Sequence, residues 1–129
     1  MLGIKMTFDR YKDKYFISLE RGEEIFQSLY KVINNEKINA GWINGIGAIE
    51  DVEMVSYDLT IKKYRKIKLD GVYEITSLMG NIAFKESEPF LHLHVTLSDH
   101  TGAAYGGHLN SAIINAAGDN DVFFPLNSI

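Results

Sequence analysis

In the stretch Leu91-His92-Leu93-His94-Val95-Thr96-Leu97-Ser98-Asp99, apolar and polar residues alternate without interruption as far as Ser98. Alternation with a period of two is typical of a β-strand with one face in the core and one face outside it. The aliphatic residues share the inner face, and His92, His94, Thr96 and Ser98 share the other. Residues two apart on a strand lie about 6.5–7 Å apart, so His92 and His94 are predicted to stand side by side.

A third histidine, His108, follows the pair Gly106-Gly107 on the next predicted strand. Opposed residues of an antiparallel pair share a face, so the register decides whether His108 joins the other histidines. A four-residue turn over 99–102 would place His108 opposite Leu93, on the apolar face. A shift by one residue places it opposite a histidine. We therefore predict either an odd-length connection between the strands or a β-bulge at Gly106-Gly107.

Three convergent imidazoles predict a metal site. Imidazole nitrogens bind zinc at about 2.0–2.1 Å, and His92, His94 and His108 are the predicted ligands. Three neutral imidazoles leave a coordination position for water or a substrate, as in catalytic zinc sites, so zinc or another divalent transition metal is the expected cofactor. The alternative is an exposed polar face without a ligand. The fourth histidine, His100, lies in the predicted turn and is expected to be exposed to solvent.

The remaining sequence predicts an α+β fold in which a mostly antiparallel β-sheet packs against one main helix. Apolar residues recur at helical spacing in that helix, at Ile25, Phe26, Leu29, Val32 and Ile33. A second, short helix is weakly indicated at about 110–117. Strands are predicted at 3–9 and 15–20, which form a hairpin, and at 41–49, 52–59, 63–69, 72–79, 91–98, 103–109 and 122–124. No linker or repeat divides the chain, so residues 1–129 are interpreted as one domain.

Composition excludes several classes of function. The 129 residues include no cysteine, which excludes disulfides, thiolate metal ligands and cysteine nucleophiles. The formal net charge of −4 disfavours a basic nucleic-acid-binding surface over the whole protein. No apolar run approaches the roughly 20 residues that cross a bilayer, and the N-terminus does not have the pattern of a signal peptide. The default expectation is a cytoplasmic protein without membrane contact.

A family resemblance runs over nearly the whole chain. Its most specific segments are Leu91 to Asp99 and Gly106-Gly107-His108-Leu109, supported by Tyr73 to Ala83, Gly45-Ile46-Gly47-Ala48 and Leu19 to Glu24. These segments resemble the PPC domain, the plants-and-prokaryotes conserved domain, which is also called a domain of unknown function.

The resemblance implies an α+β fold, a homotrimer and, in bacterial and archaeal members, a metal held by histidines that match His92, His94 and His108. In plants the domain lies beside AT-hook motifs that bind DNA, and microbial members are often named as DNA-binding proteins. This chain has no Arg-Gly-Arg-Pro AT-hook, so that route to DNA is absent.

Four further residues are candidates for roles near the histidines, and Trp42 is expected elsewhere. Glu74, on a central strand, is a candidate catalytic general base or fourth ligand, although an exposed strand glutamate is the commoner outcome. Asp99 is a candidate catalytic residue that orients an imidazole, although an aspartate that begins a turn is the simpler interpretation. Tyr105 and Asn81 are expected to line the same pocket. Trp42 is expected in the core or in a subunit interface.

The segment Lys62 to Lys68 is a basic strip. It holds five of the 13 basic residues and no acidic residue. Such a strip could contact phosphates, but charges on an edge strand also prevent edge-to-edge association, and we favour this second interpretation.

Three functional hypotheses follow. The leading one is a homotrimeric metal-binding protein of the PPC type that acts as an enzyme or binds a small molecule. The second is a DNA-binding or regulatory protein, and the third is a structural trimer that the metal only stabilises.

Overall fold

The computed structural model describes residues 5–115 and the backbone of residues 122–128, where one helix and eight strands form. In chain order they are β1 (Thr7–Tyr11), β2 (Lys14–Leu19), α1 (Ile25–Asn35), β3 (Gly41–Asp58), β4 (Lys63–Leu69), β5 (Tyr73–Lys85), β6 (Glu88–Ser98), β7 (Ala104–Ile114) and β8 (Val122–Ser128). The paired strands run antiparallel. The predicted α+β class and the predicted hairpin of β1 and β2 are confirmed.

Strand β3 is long enough to pair with four other strands. Its first half lies between β8 and β5, and its second half lies between β7 and β4. Because β5 also pairs with β6, and β6 pairs with β7, the strands β3, β5, β6 and β7 close a ring. A register shift between Gly45 and Gly47 and a φ of 50° at Asp51 accompany the bend that β3 needs for this closure.

The inner face of the ring packs against helix α1. The inner residues of β6, from Leu91 to Leu97, are at most 3% exposed, and the apolar face of α1 at Leu29 and Ile33 is fully buried. The Leu91 amide donates a hydrogen bond to the Tyr30 hydroxyl at 2.8 Å, which joins α1 to β6. The core therefore fixes which face of β6 points outward, and with it the position of the histidines.

A buried carboxylate ties the start of α1 to the preceding chain. Glu23 is 4% exposed, and its Oε1 accepts hydrogen bonds from the amides of Lys5 and Met6 and from the Ser28 hydroxyl, at 2.8, 3.0 and 3.0 Å. Its Oε2 accepts a hydrogen bond from the Glu20 amide at 2.6 Å. Full pairing of this kind makes a buried charge acceptable.

Two sequence predictions are corrected by the structure. Residues 110–114 of the second predicted helix belong to β7, because Ile113 and Ile114 pair with Glu50 and Ile49 of β3. Long-range pairing overrides a weak local helix signal here; residues 116–117 of that prediction lie outside the described residues. Trp42 is 52% exposed on β3, so of the two places predicted for it the core is excluded and the subunit interface stays a prediction.

Candidate metal centre

The connection between β6 and β7 sets the register on which the site depends. Ser98 pairs with Ala104, so the connection comprises the five residues from Asp99 to Ala103, and His94 stands directly opposite His108. The predicted odd-length connection is confirmed. The alternative, a β-bulge at Gly106-Gly107, is absent from this pair of strands, because the register is continuous from Ser98 to His94.

Asp99 holds this connection in shape. Its Oδ1 accepts hydrogen bonds from the Thr101 hydroxyl at 2.6 Å, the Thr101 amide at 2.8 Å and the Ala103 amide at 3.1 Å. The hydrogen bond from the Thr101 side chain is the largest cause that lowers the pKa of Asp99. Asp99 thus bonds within the turn rather than to an imidazole, which matches the simpler of its two interpretations.

The three imidazoles converge on the outer face of β6 and β7. His92 Nε2 lies 3.1 Å from His94 Nε2 and 2.9 Å from His108 Nδ1, and one nitrogen from each ring lies within 4.8 Å of the others. Two imidazole nitrogens on one tetrahedral zinc ion are about 3.3 Å apart, given bonds of about 2.0–2.1 Å. The spacing in this protein is therefore close to the spacing that a shared ion requires.

The surroundings of His108 favour the form of its imidazole that binds a metal. Partial burial, followed by repulsion from His92 and His94, lowers the pKa of His108 below its usual value of 6.5. A lowered pKa keeps this imidazole neutral, and a neutral imidazole is the form that binds a metal. The donor set, three neutral nitrogens without a carboxylate or a thiolate, fits zinc, copper, nickel or iron.

The strand register arranges the side chains around the histidines in rows. Met79 of β5 pairs with His94, which pairs with His108. In the next row Ser77 pairs with Thr96, which pairs with Gly106. An open groove of about 350 Å³ lies over these two rows, with His94 at one end.

The other predicted site residues lie in different surroundings. Glu74 is exposed and pairs with Ser98, four residues from His94 and so about 13 Å away along the strand. Asn81 pairs with His92 and shares the histidine face. Tyr105 pairs with Leu97 and contacts Tyr73 edge-on at 5.8 Å, so it belongs to the opposite face and not to the histidine pocket.

His100 lies exposed in the turn and is outside the convergent group, as expected. Sequence reasoning missed the groove beside His94, because its position depends on a register shift in β5 between Ile75 and Ser77. The sequence signal that could have indicated this groove is the glycine at position 106, which leaves space on the outer face of β7.

Residues 63–68 of the basic strip lie on the outlying strand β4, which pairs with β3, and Lys62 lies in the turn before it. Two of the strip's five cations are engaged with carboxylates of β3: Arg65 Nη2 lies 2.9 Å from Asp58 Oδ2, and Lys66 Nζ lies 3.5 Å from Glu53 Oε1. The hydrogen bond from Arg65 is the largest cause that lowers the pKa of Asp58. The strip is thus partly neutralised by its own sheet.

The fold and the convergent imidazoles define a small, mostly antiparallel β-protein with a histidine-based candidate metal centre. Residues 6–124 match the family described as the Plants and Prokaryotes Conserved (PCC) domain. The chain belongs to this family, so the resemblance drawn from its histidine and glycine segments is confirmed.

Solved structures of several prokaryotic proteins share the fold of this chain. A protein from Bacteroides thetaiotaomicron with a provisional DNA-binding name is 30% identical, with a TM-score of 0.89 over 95% of this chain and 83% of its own. A PPC protein from Pyrococcus horikoshii is 30% identical, with a TM-score of 0.81 over 99% and 84%. A metal-containing protein from Archaeoglobus fulgidus is 29% identical, with a TM-score of 0.80 over 99% and 85%.

The search of functionally curated proteins found no significant match. In the part of the chain that the structure describes, there is no helix that could span a membrane.

Proposed function

We propose that this protein is a homotrimeric metal-binding protein in which His92, His94 and His108 hold one divalent transition metal. The observation that carries the proposal is the convergence of three imidazole nitrogens within 4.8 Å on an accessible sheet face. The name of the Archaeoglobus fulgidus neighbour, a metal-containing protein, supports it. Zinc is the first choice, because it is commonly bound by three histidines in sites with an open position.

A bound ion would supply Lewis acidity and a coordination position for a small molecule. The residues of this chain would orient that molecule in the groove beside His94. We favour binding over catalysis, because neither Glu74 nor Asp99 contacts the imidazoles. Their predicted catalytic roles stay predictions.

Elemental analysis of protein purified without a polyhistidine tag tests the metal proposal. We expect one transition metal ion per chain in the wild type, and loss of that ion in His92→Gln, His94→Gln and His108→Gln. His100→Gln is the matched control, since His100 lies outside the cluster, and it should retain the metal. Equal metal content in all four variants would contradict the proposal.

DNA binding is the second candidate, and the specific observations in its favour are the β4 strip and the provisional name of the Bacteroides thetaiotaomicron neighbour. The ion pairs of Arg65 and Lys66 reduce the charge that phosphates would meet. Fluorescence anisotropy with duplex DNA across a salt series separates the candidates. We expect weak binding at most, abolished at physiological salt, whereas tight binding lost in Lys62→Ala/Lys63→Ala would favour a DNA-binding role.

The homotrimer is proposed from the family. Exposed apolar side chains on β3 support it, since Trp42 and Ile46 are 52% and 65% exposed beside a groove of about 570 Å³. Light scattering coupled to size exclusion should report a trimer for the wild type and dissociation for Ile46→Lys. Leu59→Lys, at a residue 80% exposed outside the groove, should remain trimeric. A monomeric wild type would contradict the assembly.

A further inference from the structure

The groove beside His94 is built by two features of three neighbouring strands. Gly106 leaves the outer face bare next to Thr96: a Cβ at Gly106 would lie 3.6 Å from Thr96 Oγ1 and 3.1 Å from the Val95 carbonyl oxygen. Met79, 65% exposed, borders the groove on β5. The groove of about 350 Å³ is at the lower end of the range for small-molecule pockets.

Two hydroxyl groups in the groove are available to a ligand. Ser77 and Thr96 form a cross-strand pair on the outer face, and both side chains are exposed. The Thr76 hydroxyl donates a hydrogen bond to the Thr96 carbonyl oxygen at 2.8 Å, so this bond does not involve the Thr96 hydroxyl. The Ser77 and Thr96 hydroxyls make no hydrogen bond to another residue in the described ranges 5–115.

The lining of the groove determines the chemistry of its occupant. No lysine, arginine, aspartate or glutamate of the described residues lines it. The part of the ligand that lies over Ser77 and Thr96 is therefore uncharged and carries a hydroxyl or similar polar group. A divalent ion with three neutral ligands keeps its full charge, so the ligand end that reaches the histidines is anionic. Thr96 lies two residues from His94, about 6.5–7 Å along the strand, which suits an acid of about four carbon atoms.

We infer that Ser77, Thr96 and Gly106 form the subsite for the hydroxyl-bearing part of a small carboxylic acid whose carboxylate binds at the three-histidine centre. This inference rests on the proposed metal-binding function. Thr96 and Ser77 hydrogen-bond the ligand hydroxyl, and Gly106 provides the space for it.

The probes are butyrate and 4-hydroxybutyrate, which differ by the one hydroxyl group, with azide as a small anion that reaches only the ion. Their binding to cobalt-loaded full-length protein is measured from the visible absorption spectrum of cobalt. We expect the wild type to bind 4-hydroxybutyrate about tenfold more tightly than butyrate, since one or two hydrogen bonds to the hydroxyl have this net effect. Azide should bind independently of the groove.

Thr96→Val removes one of the two hydroxyls at nearly constant volume and should reduce the preference for 4-hydroxybutyrate, and the double variant Ser77→Ala/Thr96→Val should abolish it. Both variants should keep the wild-type cobalt content and azide binding. Gly106→Ala should weaken both acids and spare azide, since its methyl group enters the groove. Ser56→Ala, an exposed strand serine outside the groove, is the control and should keep the tenfold preference.

The two proposals fail in different ways. Absence of bound cobalt in the wild type overturns the metal-binding function. Normal cobalt and azide binding with equal affinity for the two acids, or a preference that survives undiminished in Ser77→Ala/Thr96→Val, overturns the subsite alone.

Discussion

The substitution Gly80→Ala perturbs the metal centre from the core side. Gly80 pairs with Leu93 across β5 and β6. A Cβ at this position would overlap the His92 carbonyl oxygen and lie 2.6 Å from Leu93 Cδ2. Carbon atoms pack at about 3.5–4.0 Å, so β6 has to move by about 1 Å beside His92.

Such a shift affects both stability and metal binding. Overpacking a well-packed site costs about 1–3 kcal/mol, and an overlap with backbone atoms places this substitution near 3 kcal/mol. For a domain of this size, the melting temperature should fall by about 10 °C. A shift of about 1 Å exceeds the tolerance of about 0.2 Å for metal–ligand distances, so the affinity for the metal should fall.

Gly107→Ala is the matched control on the neighbouring strand. Its Cβ would also point inward beside a metal-binding histidine, but it meets Met54 Sδ at 3.4 Å, an ordinary contact. Differential scanning fluorimetry and zinc titration with a competing chelator measure both effects. If Gly80→Ala keeps the wild-type melting temperature and zinc affinity, the claim that close packing of β5 against β6 holds His92 in position is contradicted.

Three further predictions concern separate contacts. The pKa of His108 in the folded protein lies below its unfolded value near 6.5, so the melting temperature of the metal-free protein should fall as the pH falls through and below 6.5. In His108→Gln the melting temperature should fall less over the same pH range. Glu23→Ala leaves four donors without their acceptor and should lower the free energy of unfolding by at least about 3 kcal/mol in urea, whereas Glu20→Ala, which keeps the amide donor, should lose far less. Tyr30→Phe leaves the buried Leu91 amide without its acceptor and should lower the free energy of unfolding by about 1–2 kcal/mol without changing metal content.

Each of these three predictions has a result that would contradict it. A pH profile that is the same in wild type and His108→Gln, a Glu23→Ala variant as stable as Glu20→Ala, or a Tyr30→Phe variant as stable as the wild type would each contradict the corresponding contact.

The sequence was sufficient to predict the histidine face. Alternation from Leu91 to Leu97 fixes which side chains point into the core, because a strand has a strict period of two. The position of His108 was not fixed in this way, because a four-residue turn, an odd-length connection and a bulge were all compatible with the sequence. The pairing of Ser98 with Ala104 in the structure selects the five-residue connection.

The closure of the ring was beyond local reasoning. Residues 41–49 and 52–59 were predicted as separate strands, yet they form the single strand β3, which pairs with the neighbouring β4 and with the distant strands β5, β7 and β8. The same long-range pairing makes a strand of residues 110–114. The position of Glu74 depends on the register shift between Ile75 and Ser77, which no residue pattern indicated.

X-ray absorption at the metal edge reports which atoms are bound to the ion in the intact protein. We expect three imidazole nitrogens at about 2.0–2.1 Å for zinc in the wild type, and loss of one imidazole in His108→Gln. A spectrum without imidazole ligands, or one that is identical in wild type and His108→Gln, would contradict a shared ion at His92, His94 and His108.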